Sequence, residues 1–90
     1  MRLELSPAAE ADLRRIFEFN EQLSLAWAEK VEERIWARAS SLVQTPSIGR
    51  PTDRPGVRRL SMPDIQYVLD YRIEADRIRM LRIYSTREIS

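Results

Sequence analysis

The clearest pattern of apolar and polar positions lies between Ile65 and Tyr84 and predicts a β-hairpin. In its first half every second residue is apolar and the residues between are mostly polar, with Val68 as the exception. A period of two that is rich in β-branched and aromatic residues is typical of a half-buried strand. The short segment Glu74-Ala75-Asp76 predicts the turn. The predicted core positions of the first strand are Ile65, Tyr67, Leu69, Tyr71 and Ile73.

The second strand of the hairpin begins with the same alternation and then loses its phase. Ile78 and Met80 alternate with arginines, but Leu81 and Ile83 are both apolar as well. Either a β-bulge shifts the alternation there or both faces of the sheet are covered at that point. We expect Leu81 and Ile83 to face away from the main core, together with Val68 of the neighbouring strand.

Two amphipathic helices are predicted in the first half of the chain. Ser6-Pro7 has the sequence of a helix N-cap followed by proline at the first helical position, and apolar residues spaced by three and four continue to about Asn20. Ser24 is the predicted N-cap of a second helix that extends to about Gln44. Because the link between them is short, the two helices should form a helical hairpin.

Three further segments complete the predicted fold. Residues 1–6 alternate as a short strand, residues 45–56 form a loop with several prolines and both glycines, and residues 57–62 form the strand before the hairpin. The order strand, helix, helix, then three strands predicts an α+β fold, with an antiparallel sheet packed against the helical hairpin. A length of 90 residues predicts one domain that spans residues 1–90.

Composition narrows the possible functions. The chain has neither cysteine nor histidine, so we predict no disulfide, no metal site and no cofactor. No apolar run approaches the roughly 20 residues that cross a bilayer. The opening segment MRLELSP lacks the apolar core of a secretory signal. We therefore expect a soluble cytoplasmic protein.

Charge is distributed unevenly along the chain. Residues 1–49 carry six basic and eight acidic side chains, a charge of −2, whereas residues 50–90 carry nine arginines and six acids, a charge of +3. Arginine suits bidentate binding of carboxylate or phosphate, although a GC-rich genome produces the same bias without any function. A basic patch on the solvent face of the sheet is one prediction, and an ordinary solvated face is the other. The patch would contain Arg58, Arg59, Arg79, Arg82 and Arg87.

Four segments carry a resemblance to a known family: SPAAEADL, SIGRPTDRPGVRRL, QYVLDYRI and DRIRMLRIYSTRE. Together with the order of the elements, they resemble the RelE/ParE superfamily of toxins from bacterial toxin–antitoxin modules. The loop pattern P-x-x-GRP…PG-x-R-x-L and the hairpin look like the ParE branch in particular. The resemblance implies a toxin of a type II module of the kind linked to plasmid stabilisation. It implies DNA gyrase as the target and neutralisation, in a hetero-oligomer, by a ParD-like antitoxin whose helical tail wraps the toxin.

The RelE branch implies an alternative function, ribosome-dependent cleavage of mRNA. Arg59 and Arg87 fall at positions that match basic residues of RelE-like enzymes, and Tyr84 is a nearby aromatic candidate. Val68 replaces another basic position, and Ser85 stands where ParE-like chains usually have histidine. Cleavage also needs an acceptor for the 2′-hydroxyl proton, which arginine cannot supply because it stays protonated. The sequence therefore favours a binding protein over an enzyme.

The predicted partner-binding surface combines arginines with apolar residues outside the main stripes. Trp27 and Trp36 flank the stripe of the second helix, where they either cap the core or line a groove for an amphipathic partner helix or an added strand. Direct nucleic-acid binding is not expected, because aromatic residues do not interleave with the arginines and the net charge is only +1. The predicted partner-binding residues are Trp27, Trp36, Arg58, Arg59, Val68, Arg79, Leu81, Arg82, Ile83 and Arg87.

Overall fold

The computed structural model describes residues 1–88 and shows two helices packed against a five-stranded sheet. In chain order the elements are β1 (Arg2–Leu5), α1 (Pro7–Glu21), α2 (Leu25–Ser41), β2 (Arg50–Pro51), β3 (Val57–Met62), β4 (Tyr67–Ile73) and β5 (Arg77–Ser85). Short 3-10 turns occupy Pro46–Ile48 and Thr86–Glu88. The predicted α+β class and the order of its six elements are confirmed, and β2 is a short additional strand inside the predicted loop.

The strands lie in the order β1-β5-β4-β3-β2. The segment from β2 to β5 is antiparallel throughout, whereas β1 pairs in parallel with β5, from Arg2 opposite Arg77 to Leu5 opposite Met80. The sheet is therefore mixed rather than antiparallel throughout, because the helical hairpin returns the chain so that β1 and β5 run in the same direction. No helix within residues 1–88 has the length and apolar character needed to span a membrane.

Both helices begin at the predicted caps. The Ser6 hydroxyl accepts a 3.1 Å hydrogen bond from the backbone amide of Ala9, and the Ser24 hydroxyl accepts one of 3.0 Å from the amide of Trp27. These bonds satisfy amides that have no partner inside the first helical turn. The second helix ends at Ser41, earlier than predicted. Turns follow it and lead into the loop of residues 45–56, which we call the proline loop.

The core lies between the helices and one face of the sheet. Ile16 and Ile35 from the helices are buried together with Leu69 and Tyr71 of β4, which confirms the predicted core face of that strand. Ile73, at the end of the strand, is 38% exposed and lies at the margin of this layer. The core therefore depends on β4, the strand with the clearest alternation.

A β-bulge at Leu81 accounts for the loss of phase in β5. The register between β4 and β5 passes from Arg82 to Met80, so Leu81 has no direct partner on β4. The Ser6 hydroxyl donates a 2.9 Å hydrogen bond to the carbonyl of Leu81 and holds the bulge against the start of α1. The extra residue returns Ile83 to the core, where its side chain is fully buried. The prediction that Ile83 faces away from the core is therefore wrong.

Candidate partner-binding site

The arginines predicted to form one basic patch lie in separate environments. Arg58 donates hydrogen bonds to the carbonyls of Ser47 and Gly49, at 3.3 and 2.7 Å, and so holds the proline loop. Arg82 donates from Nε and Nη2 to the carboxylate of Asp12 on α1, at 2.8 and 3.1 Å. The prediction of a single patch is wrong, because the Arg58 side chain binds carbonyls of residues 45–56 whereas the Arg82 side chain binds a carboxylate on α1.

Arg79 belongs to a third environment, an ion-pair network across β1 and β5. Its Nη1 lies 2.9 Å from Glu4, and Arg77 donates to both oxygens of the same carboxylate at 3.1 and 3.0 Å. Glu74, in the turn before β5, adds longer contacts to both arginines. The acids here are engaged by arginine, and within residues 1–88 no three acidic side chains form a group that could hold a metal ion.

Arg59, Asp70 and Tyr84 form a cluster on the sheet face opposite the helices, which we call the open face. The Nε and Nη2 atoms of Arg59 donate to the two carboxylate oxygens of Asp70, at 2.7 and 3.2 Å. The Tyr84 hydroxyl donates to Asp70 Oδ2 at 2.7 Å and accepts a hydrogen bond from Arg59 Nη2. The guanidinium carbon also lies 5.4 Å from the centre of the tyrosine ring, a cation–π distance.

The electrostatics of this cluster oppose acid–base catalysis. Burial and the hydrogen bond to Asp70 raise the pKa of Tyr84 to about 12, and the nearby arginine charges lower it by less. The hydrogen bond to Asp70 raises the pKa of Arg59 as well. Tyr84 therefore stays protonated at neutral pH, and Asp70 offsets the charge of Arg59. Of the residues suggested for RNA cleavage, the structure brings together Arg59 and Tyr84, whereas Arg87 lines a different surface.

Val68 lies on the open face, as predicted, opposite Ser61 and Tyr84 on the neighbouring strands. It is only 3% exposed, so it offers almost no surface to a partner. Leu81, in contrast, is half-buried and keeps some exposed surface at the bulge. The apolar surface predicted along β4 and β5 is therefore much smaller than the sequence indicated.

A larger apolar surface lies at the turn between the two helices, where a cleft of about 800 Å³ opens beside the start of β4. We call it the tip cleft. Phe19, near the end of α1, and Leu23, in the link to α2, are 59% and 71% exposed on its wall. Contiguous exposed apolar surface of this kind marks binding sites in many proteins. The lining also includes Arg15, Trp27, Ile65 and Arg87.

Asn20 fixes the inner wall of the tip cleft. Its Nδ2 donates to the carbonyl of Ile16 at 2.8 Å and to the Tyr67 hydroxyl at 3.0 Å, while its Oδ1 accepts from Trp27 Nε1 at 2.9 Å. Asn20 is itself buried, so these bonds tie both helices to β4. Trp27 therefore packs on the core, as one of its two predictions states, and also contributes to the lining of the cleft.

Trp36 lies away from this cleft. Nine positions along an α-helix correspond to a rotation of about 180°, so Trp27 and Trp36 face opposite sides of α2. Trp36 is 39% exposed and does not line the tip cleft. The prediction that both tryptophans and β5 line a single groove is therefore wrong.

Sequence reasoning missed Phe19 and Leu23, although a signal for them was present. The apolar stripe of α1 runs through Leu13 and Ile16 to Asn20, and Phe19 lies outside it. Leu23 follows in the link between the helices, where no core position is required. Large apolar residues outside a core-facing stripe are candidates for a binding surface.

Comparison with known proteins agrees with this fold and identifies the family. The sequence model of the ParE toxin of the parDE type II toxin–antitoxin system matches residues 3–90. A chain of the chromosomal ParDE system from P. aeruginosa is 30% identical with a TM-score of 0.85, and the match covers 94% of this chain and 95% of that one. No curated protein sequence gives a significant match.

The isolated E. coli RelE toxin shares the fold. It superposes with a TM-score of 0.70 at 13% identity, and the match covers 92% of this chain and 81% of RelE. Identity this low supports the common architecture and nothing about activity. The family match over almost the whole sequence and the similarity to the ParDE structure show that this chain belongs to the ParE family of toxins from type II toxin–antitoxin systems.

Proposed function

We propose that this toxin acts by binding: it inhibits DNA gyrase, and a ParD-like antitoxin neutralises it. The observation that carries the proposal is the arrangement of Asp70, which engages Arg59 through two hydrogen bonds and accepts a third from Tyr84. Two of the three candidates for RNA cleavage, Arg59 and Tyr84, are therefore bound to an internal carboxylate. What remains for function is surface that can contact another protein.

RNA cleavage needs a group that removes the 2′-hydroxyl proton and cations that stabilise the phosphate in the transition state. Tyr84, with a pKa of about 12, is protonated at neutral pH and already donates a hydrogen bond to Asp70. Arg59 cannot accept a proton, and its charge is offset. These properties favour a toxin that binds its target over one that cleaves mRNA, and we propose gyrase as the target because the ParE-like pattern implies it. Gyrase and the ribosome are both cytoplasmic, so we propose a cytoplasmic location.

The tip cleft is the surface that we assign to the antitoxin. Phe19, Leu23 and Trp27 give it apolar walls, and Arg15 and Arg87 give it positive charge, with Asp64 as the acidic residue of the lining. An amphipathic helix with a few acidic side chains matches these features, because such helices place apolar anchors at intervals of three and four residues into a groove. Complementary charge at the margins would fix the orientation of that helix.

Expression of the toxin in bacteria separates the two target classes. If gyrase is the target, the topology of a reporter plasmid changes after induction while the synthesis of labelled protein continues in the first minutes. Inhibition of translation with unchanged plasmid topology would contradict the proposal. A catalytic control comes from Tyr84→Phe, which keeps the ring but removes the hydroxyl; growth inhibition should persist in this variant.

The genes beside the toxin gene supply the candidate antitoxin. A short neighbouring open reading frame, with a ribbon-helix-helix pattern followed by an acidic amphipathic tail, has the expected features. Co-expression should restore growth, and the two proteins should co-purify as a complex. If the tail alone neither binds the toxin nor restores growth, the assignment of an antitoxin helix to the tip cleft is wrong.

A further inference from the structure

The open face contains the donor set of an anion-binding site. Arg59 presents Nε and Nη2 in parallel, and the Tyr84 hydroxyl points to the same place. A guanidinium fork binds carboxylate and phosphate with the same bidentate geometry, and a hydroxyl adds a further donor. In this toxin the acceptor is the carboxylate of Asp70, which is only 4% exposed and comes from the central strand of the sheet.

The surroundings of this donor set suit an anion that is larger than a carboxylate. A cavity of about 650 Å³ lies beside Arg59 and is lined by Arg38 and Arg50 as well, with Asp53 as the acidic residue of the lining. Thr52, Ser61 and Thr86 add hydroxyl groups. Three arginines and three hydroxyls around one cavity would suit a phosphodiester chain, because phosphates are bound by guanidinium and hydroxyl donors.

We infer that Asp70 is a specificity-determining residue that occupies the phosphate position of the open face and keeps single-stranded RNA off it. The carboxylate sits on the donors that an RNA phosphate would need, and its negative charge repels any phosphate that approaches the cavity. Displacing it would leave a buried charge without its partner, which is costly. This inference rests on the same Asp70 contacts as the proposed function, but it concerns RNA binding to this face and is tested without gyrase.

Neutralising the carboxylate should therefore reveal an RNA-binding site. Asp70→Asn keeps the size of the side chain, removes the charge and leaves Arg59 without its anionic partner. The released arginine then offers a charge-assisted fork, so the affinity for RNA should rise about tenfold or more. The increase should weaken as salt is added, because phosphate binding releases counterions.

Fluorescence anisotropy with a labelled single-stranded RNA oligonucleotide measures this effect directly. Asp76→Asn is the matched control, since it makes the same change of charge in the turn before β5 and also removes a 3.0 Å ion pair from an arginine, Arg77. We expect the affinity of Asp76→Asn to stay within about twofold of wild type because an exposed charge is screened. Adding Arg59→Ala to Asp70→Asn should abolish the gain. Equal affinities for the Asp70 and Asp76 variants would overturn the inference.

A second measurement uses the wild-type chain and does not depend on the stability of any variant. Inorganic phosphate, titrated while the Arg59 Nε–H resonance is observed by NMR, should leave that resonance unchanged because Asp70 occupies the site. A saturable shift of this resonance in the wild type would show that phosphate reaches the donors despite Asp70, and the inference would then be wrong. That outcome would also weaken the structural argument against RNA cleavage, but gyrase inhibition itself is tested separately by the assay of DNA topology.

Discussion

The carboxylate of Asp12 on α1 accepts a 2.8 Å hydrogen bond from the backbone amide of Ile83 on β5. The same carboxylate binds Arg82 at 2.8 and 3.1 Å and Arg15 at 3.1 Å, although Asp12 is only 4% exposed. Next to the bulge, a buried acid of the helix thus satisfies an amide of the strand. One side chain connects α1 to the point where β5 changes phase.

Removing this carboxylate should destabilise the fold. Asp12→Ala leaves the buried amide of Ile83 without an acceptor, so we expect a loss of about 2–3 kcal/mol in the free energy of unfolding. Urea unfolding followed by circular dichroism measures the change. Glu10→Ala, an exposed acid in the first turn of the same helix, is the control and should cost much less. Similar losses for the two variants would show that Asp12 does not hold the bulge.

The stability of the toxin should also depend on pH through Asp12. Burial alone raises the pKa of Asp12, but the hydrogen bonds from Arg82, the Ile83 amide and Arg15 outweigh it and hold the pKa below the usual 3.8. A carboxyl with a lower pKa in the folded state stabilises the protein above its unfolded pKa, about 3.9, and this contribution is lost as the pH falls through the folded value. The free energy of unfolding should therefore decrease as the pH is lowered below about 4.

A matched variant isolates the contribution of Asp12 to this pH dependence. Asp12→Asn cannot ionise, so its stability should decrease less steeply below about pH 4 than that of the wild type. Other carboxylates titrate in both proteins and cancel in the comparison. If the free energies of unfolding of the two proteins decreased equally steeply below about pH 4, the ionised Asp12 would not have this role.

Local patterns in the sequence were sufficient for most of the fold. Ser6 and Ser24 predicted both helix starts, because a cap depends only on residues within one turn. The alternation of β4 predicted its core face, since a buried face imposes a period of two. The parallel pairing of β1 with β5 was not predictable in this way, because it depends on how the helical hairpin returns the chain.

The side-chain contacts of the candidate site were harder to predict from the sequence than the fold. Arg59 and Arg82 both stand next to a leucine in a strand, yet one binds Asp70 on the open face and the other binds Asp12 on α1. Asp12 is 70 residues from Arg82 in the chain, and Asp70 meets Arg59 through the pairing of β3 with β4, so a pattern of exposed arginines cannot assign either partner. The burial of Ile83 also depended on the bulge, whose position the sequence left open.

The proline loop should tolerate no side chain at Gly49. A Cβ atom there would lie 2.6 Å from the Tyr71 hydroxyl and 3.0 Å from the carbonyl oxygen of Arg59. That hydroxyl accepts from the Gly49 amide at 2.9 Å and donates to the Pro46 carbonyl at 2.6 Å, so it cannot move without loss of both bonds. We expect Gly49→Ala to cost about 1–3 kcal/mol in thermal or urea unfolding.

Ser47→Ala, at an exposed position of the same loop, is the control for this change and should be nearly neutral. Tyr71→Phe provides an independent check, since it leaves the buried Gly49 amide without an acceptor and should cost about 1–3 kcal/mol. A Gly49→Ala variant as stable as the wild type would mean that the loop is not held against Tyr71.

The tip cleft should control antitoxin binding without controlling stability. Phe19→Ser and Leu23→Ser remove apolar side chains that are already largely exposed, so the folded state should lose little. If these residues anchor the antitoxin helix, each change should weaken binding by about 1–2 kcal/mol in calorimetric titration. Ile48→Ser is the matched control, because Ile48 is 54% exposed on another surface. Equal effects of all three variants would move the antitoxin site away from the cleft.

The most direct test of the proposed function is a supercoiling assay with purified components. Gyrase supercoils a relaxed plasmid in the presence of increasing toxin, and the same toxin preparation is incubated with translating ribosomes and a reporter mRNA. We predict that the toxin blocks supercoiling, that its antitoxin restores it, and that the mRNA stays intact. Cleaved mRNA with unaffected supercoiling would contradict the claim that this toxin acts by binding gyrase.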